Sequence, residues 1–194
     1  MPRPVAVAIT GGIGAGKSEA LRAFARHGAA TVSSDEIVHH LLTRADVRDA
    51  IVERMGNGVL DPAGEIDRGA LGTVVFNDRG ALTWLEQLLH PLVSAEYLQW
   101  REQLAQLPDA PAVCVTEVPL LFESGAESRF DKVVVITAPS KLRRARSDVA
   151  TAERETRLLD DREKVARADY SYKNVGTVEE LDAFVGSVMH DLTS

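Results

Sequence analysis

The chain has 194 residues, of which 45% are hydrophobic and 26% charged, with one cysteine and a formal net charge of −7. This length suits one α/β domain with insertions rather than two independent domains, and the acidic balance argues against a general nucleic-acid binder. The lone Cys114 excludes an internal disulfide and points to a reducing, cytoplasmic setting, while no apolar run approaches the ~20 residues of a membrane span. In chain order, the first signal is the apolar run Val5–Ile9, with the length of a buried strand. It leads into Gly11-Gly12-Ile13-Gly14-Ala15-Gly16-Lys17-Ser18, which fits G-x-x-x-x-G-K-[ST] at every fixed position. Leu21, Phe24 and Ala25 then fall at helical spacing. Strand, glycine loop and helix start together predict a nucleoside-triphosphate site. Small residues let backbone N–H groups curl around a phosphate, and the helix N-terminus adds partial positive charge. Lys17 is the residue to reach the β- and γ-phosphates, and the Ser18 hydroxyl is placed to hold Mg²⁺.

Further strand signals are Ala30–Val32, Val113–Val115 and Val133–Ile136, with a weaker one at Tyr170–Tyr172. Short apolar strands separated by helical stretches predict a parallel sheet buried on both faces. The second strand runs into Ser33-Ser34-Asp35. Asp35 at that position either accepts a proton from a substrate hydroxyl or caps the helix that follows, and Ser34 is an alternative cap. From about residue 45 to 107 no strand core is evident. Leu82, Leu85, Leu88 and Leu89 mark one helix, and Leu92, Tyr97, Trp100 and Leu104 a longer one after Pro91. Glu117 ends the third strand, where it is either a surface acid or a carboxylate holding water on Mg²⁺. Cys114 reads as a buried strand residue. Residues 141–167 hold nine of the 22 Lys/Arg against six of the 29 Asp/Glu, so positive charge gathers in one late segment. That segment reads as a solvated helix face or, in a phosphate-transfer protein, as an arginine-bearing lid, which we favour. Residues 178–192 form a final helix with Leu181, Phe184, Val185 and Val188 on its inner stripe.

These pieces, with others in order, resemble the dephospho-coenzyme A kinase family, relatives of the nucleoside monophosphate kinases, over nearly the whole chain. The matching residues are Ile9 to Ser18; Asp35-Glu36-Ile37-Val38-His39; Ile66-Asp67-Arg68 with Leu71 and Val75-Phe76; His90-Pro91; Val118-Pro119-Leu120-Leu121-Phe122-Glu123; and Ala168-Asp169 leading to Asn174 and Gly176. The resemblance implies a three-layer α/β P-loop fold: a parallel-sheet core over about 1–44, 110–138 and 168–194, a helical substrate insertion over about 45–109 and a helical lid over about 139–167. It implies transfer of the ATP γ-phosphate, with Mg²⁺, to the ribose 3′-hydroxyl of dephospho-CoA, the last step of coenzyme A synthesis. Another small hydroxyl acceptor, or a nucleotide binder weakened in catalysis, is the alternative. By carry-over, Lys17, Asp35, Arg144 and Arg146 are catalytic, with Asp35 as general base. Gly12, Ile13, Gly14, Ala15, Gly16, Lys17, Ser18 and Asn174 bind the nucleotide, with Asn174 near adenine. Asp35, His39, Arg68, His90 and Pro119 bind the acceptor, and Ser18 and Glu117 face the metal. His90-Pro91 serves equally well as a helix start, and His27, His40 and His190 read as surface residues. The chain departs from the family pattern at Ser33, where a first Asp is usual, at Glu117, which replaces an Asp, at a shortened lid, and at Leu158 in place of a glutamine. The implied partner is a small molecule, with neither nucleic acid nor membrane, and the protein is expected to be a monomer or weak homo-oligomer.

Overall fold

A computed structural model describes residues 3–146 and 159–194. In chain order its elements are β1 (Val5–Thr10), α1 (Lys17–Arg26), β2 (Ala30–Ser33), α2 (Ser34–Leu42), α3 (Ala45–Met55), α4 (Arg68–Asn77) and α5 (Arg79–Ala105). They continue with β3 (Val113–Glu117), β4 (Lys132–Thr137), α6 (Ser140–Arg146), α7 (Asp161–Ala166), β5 (Tyr170–Lys173) and α8 (Val178–Thr193). The chain divides into two compact units, one holding the residues up to Ser34 and from Arg101 onward, the other Asp35–Trp100.

The first unit is built on a five-stranded parallel sheet of order β2-β3-β1-β4-β5. Alternation along the strands sends side chains to two buried faces, as a parallel sheet requires. Val7 and Ile9 of β1 and Val134 and Ile136 of β4 meet Phe24 of α1 and Leu181, Val185 and Val188 of α8. Ala8, Val133 and Val135 point the other way, onto Leu121, Phe122 and Ala126 of the β3–β4 connection, with Leu159 and Ala168 beside them. Helix, sheet and covering connection make three layers. The amphipathic α8 starts at a capping box in which Thr177 accepts from the Glu180 N–H and Glu180 accepts from the Thr177 N–H. Cys114 is buried in β3, and burial pushes its thiol above the usual range. β1 lies at the centre, with β3 and β4 on either side, so the chain reverses its direction of winding there. The carboxyl ends of strands at such a switch point are where open α/β sheets take ligands.

The second unit is helical. Asp67 caps α4 by accepting from the N–H groups of Gly69 and Ala70, at 2.8 and 3.1 Å. The largest departure from expectation lies in α5. The two helices foreseen on either side of Pro91 are one continuous helix of 27 residues, so His90-Pro91 is interior and not a helix start. Ala81, Leu85, Leu89 and Tyr97 are buried at multiples of four, so a single stripe runs through the proline. Pro91 and Gln87, whose carbonyl loses its usual N–H donor, are both on the exposed side, where water replaces the missing bond. The Ser94 hydroxyl donates to the His90 carbonyl at 2.8 Å one turn on. Burial of the inner stripe outweighs the local cost of the proline. Among the described residues no helix is long and apolar enough to cross a membrane.

Candidate active site

The glycine loop leaves the carboxyl end of the central strand and closes on α1. Gly11 has φ +143° and Gly16 φ +102°, and neither tolerates a side chain. A Cβ on Gly11 would strike the Ile136 carbonyl, and one on Gly16 the Asn174 amide. Gly16 is the N-cap of α1 and offers no side-chain acceptor, an uncapped helix start of the kind suited to an anion. Lys17 is buried, with Nζ donating to the Gly12 carbonyl at 3.1 Å and lying 3.9 Å from the Glu117 carboxylate. Glu117 is itself buried, at the end of β3, where sheet register pairs it with Ile9 on one side and Ser33 on the other. The hydroxyl-bearing Ser18 is exposed in the first turn of α1. Asn174 is buried, and its side-chain amide donates to the Ala15 carbonyl at 2.8 Å, so it braces the loop from behind. Pro119 sits in the turn after β3, where its carbonyl accepts from the Thr10 hydroxyl at 3.3 Å.

An arginine that sequence reasoning passed over lies against this loop. The main-chain atoms of Arg143 come so near Gly14 that an added Cβ would be 2.8 Å from the Arg143 carbonyl oxygen. Its guanidinium nitrogen occupies the space a Cβ on Gly12 would need. Asp161 balances the same guanidinium at 3.9 Å. Arg143 is placed by the start of α6, where the Pro139 carbonyl accepts from the N–H groups of Leu142 and Arg143. Sequence periodicity over so short a helix carries no comparable signal. The side chains of Arg144 and Arg146, and Leu158, lie outside the described residues.

In the second unit, Asp35, Glu36, His39, His40, Thr43 and Arg68 line an open groove of about 380 Å³. α2 begins at Ser34, so Asp35 stands exposed in its first turn and does not cap it. His39 Nδ1 lies 2.9 Å from the Arg68 guanidinium. Arginine only donates, so in this contact Nδ1 is the acceptor. Three of the residues expected to meet the acceptor, Asp35, His39 and Arg68, are thus brought together, and His40, exposed as expected of a surface residue, lines the same groove. The spacing 36, 40, 43, running along α2 and one residue past its end, was the available signal for Glu36, His40 and Thr43. His90, exposed within α5, is not among the residues lining the groove.

The family profile described as Dephospho-CoA kinase matches residues 5–180. The chain belongs to the dephospho-CoA kinase family. The dephospho-CoA kinase of Symbiobacterium thermophilum is 37% identical to it, over 92% of this chain and 77% of that protein. A crystal structure from Thermus thermophilus covers all of both chains at 28% identity and a TM-score of 0.81. The dephospho-CoA kinase of Campylobacter jejuni is 25% identical over 96% of each chain, with a TM-score of 0.69. A kinase of this family uses ATP, and the uncapped helix start and buried Lys17 are the parts of this chain suited to its phosphates.

Proposed function

We propose that the protein transfers the γ-phosphoryl group of ATP to the ribose 3′-hydroxyl of dephospho-CoA, giving coenzyme A. The observation that carries this reading is the family match over residues 5–180, which takes in both the phosphate loop and the Asp35 groove. The N–H groups of Gly12 to Ser18 bind the phosphates, and Lys17 exchanges the Gly12 carbonyl for their β- and γ-oxygens. A loose, metaphosphate-like transition state spreads charge over its equatorial oxygens, and Lys17 and Arg143 stabilise it as fixed positive groups. Asp35 orients the 3′-hydroxyl and accepts its proton. Arg68, steered by His39 Nδ1, offers a guanidinium to the anionic part of the acceptor.

Glu117 and Ser18 fit Mg²⁺. The ion keeps several waters and takes substrate phosphate oxygens, so one carboxylate and one hydroxyl suffice and no cluster of protein ligands is required. Bound there, Mg²⁺ neutralises charge on the β- and γ-phosphates. The buried Glu117 carboxylate lies 3.9 Å from Lys17, so both charged groups face the same phosphate-binding end of the sheet. The deciding experiment incubates the protein with ATP, Mg²⁺ and a panel of acceptors and locates the new phosphate by mass spectrometry and NMR. Phosphate on the 3′-oxygen of dephospho-CoA is expected. Faster turnover of another hydroxyl acceptor would overturn the assignment.

A further inference from the structure

Among the described residues, one charged side chain outside the phosphate loop and the groove is completely buried: Lys164, on α7. Its Nζ lies 2.8 Å from Glu123 Oε1, and the same oxygen accepts from the Leu159 N–H at 2.9 Å. Glu123 ends the Val118–Glu123 stretch on the β3–β4 connection, and Leu121 and Phe122 just before it are packed into the sheet. Burial works to raise the Glu123 carboxyl, yet the Lys164 and Leu159 hydrogen bonds outweigh it and hold the group below the usual range, so it stays ionised. One turn further on, the Arg167 guanidinium lies 4.4 Å over the Phe122 ring and pairs with Glu127. One face of α7 is therefore pinned to this connection. Its other end carries Asp161, the partner of Arg143.

A buried ion pair is a poor source of stability, since well-packed apolar residues of similar size do as well or better. What it supplies is direction, because a fully buried lysine and a partly buried carboxylate in contact at 2.8 Å fix where α7 meets the β3–β4 connection. We propose that the Glu123–Lys164 pair is a positioning device for phosphoryl transfer, seating α7 so that Asp161 holds Arg143 against the phosphate loop. The proposal rests on the kinase function above. Glu123 and Lys164 are positioning residues that act through Asp161 and Arg143.

The test compares the full-length protein with three variants: Glu123→Leu/Lys164→Met, Asp161→Asn, and the three changes combined. Melting temperature, affinity for a non-hydrolysable ATP analogue, and KM for ATP and for dephospho-CoA are measured on each. The double variant is expected to keep its melting temperature within a few degrees, because the apolar pair fills the same volume. Its kcat/KM for ATP should fall roughly tenfold, while KM for dephospho-CoA stays within about twofold. Asp161→Asn, a partly exposed change, should reproduce that split, and the combined variant should be no worse than either. A double variant with unchanged ATP kinetics overturns the proposal, and so do losses that multiply in the combined variant. If the double variant does not fold, unchanged ATP kinetics in Asp161→Asn overturn it instead. Titration with the analogue needs no acceptor, and the wild-type protein is assayed on dephospho-CoA alongside, so failure of the substrate assignment is read separately.

Discussion

At the scale of single residues, chemistry follows from what each side chain faces. Lys17 is buried beside a carbonyl and a carboxylate, not within an apolar cluster, so its truncation should leave the fold intact. Lys17→Ala is expected to keep a cooperative melting transition while turnover falls by about 10²-fold or more. Asp35 stands in the first turn of α2 with no capping duty to perform. Asp35→Asn should therefore preserve shape and bind both substrates within a few-fold, yet lose about 10²–10⁴ in kcat, or about 3–5 kcal/mol of barrier. Isothermal titration beside a coupled kinase assay checks this, and near-wild-type turnover would remove Asp35 as the base. Arg143 carries the matching expectation for the donor side. Arg143→Ala should slow transfer by about 10²–10³-fold without weakening dephospho-CoA binding. If Arg144→Ala is the slower enzyme, the arginine against the loop is not the one that serves the phosphate.

At the scale of elements, the informative case is α5. A proline in a helix interior costs ~3 kcal/mol, and α5 bears it because its inner stripe stays in phase across the break. Pro91→Ala restores the donor for the Gln87 carbonyl, and its backbone already has helical geometry. The variant is expected to melt higher than wild type, by about 1–3 kcal/mol of added stability in urea titration. A lower midpoint would mean that the proline bends the helix into contacts that a straight one cannot make. α4 offers the opposite test. Asp67 alone caps its start with a side chain, so Asp67→Ala should cost about 1 kcal/mol. The same change releases the element that presents Arg68, and KM for the acceptor is expected to rise with it.

For the molecule as a whole, charge enters through carboxylates already committed to partners. Hydrogen bonds from Arg26 and then His27 hold the Asp182 carboxyl below its usual range, and Arg44 does the same for Asp46. A carboxylate whose folded-state pKa is depressed contributes stability in full above its unfolded value. That contribution is lost as pH falls through the folded one. With Glu123 depressed as well, stability is expected to decline below about pH 4, with the unfolded chain taking up more protons than the folded one. Urea midpoints measured from pH 7 down to pH 3 check the sign. A midpoint rising on acidification would show that these carboxylates are not held by their partners in solution.

Local chemistry already sufficed for much of this protein. The strand, glycine loop and helix at the N-terminus are specified by neighbours in the chain, because apolar runs, glycines needing φ > 0 and a lysine-serine helix start act over a few residues. Four of the five strands were evident for the same reason, with β5 a weaker signal because Tyr170–Lys173 is not an apolar run, and the amphipathic α8 was evident too. The continuity of α5 was not, since Pro91 is a local stop signal and only the shared buried stripe overrides it. Nor was the approach of Arg143 to the phosphate loop, which depends on where Pro139 starts a helix and where Asp161 meets the guanidinium. Glu36, His40 and Arg68 reach one groove with Asp35 where Arg68, at the start of α4, meets His39 of α2. Glu123 and Lys164 lie 41 positions apart in sequence, and each alone looks like an ordinary surface charge. Only the fold buries Lys164 completely and Glu123 in part against it, and only then does the lysine require the acid.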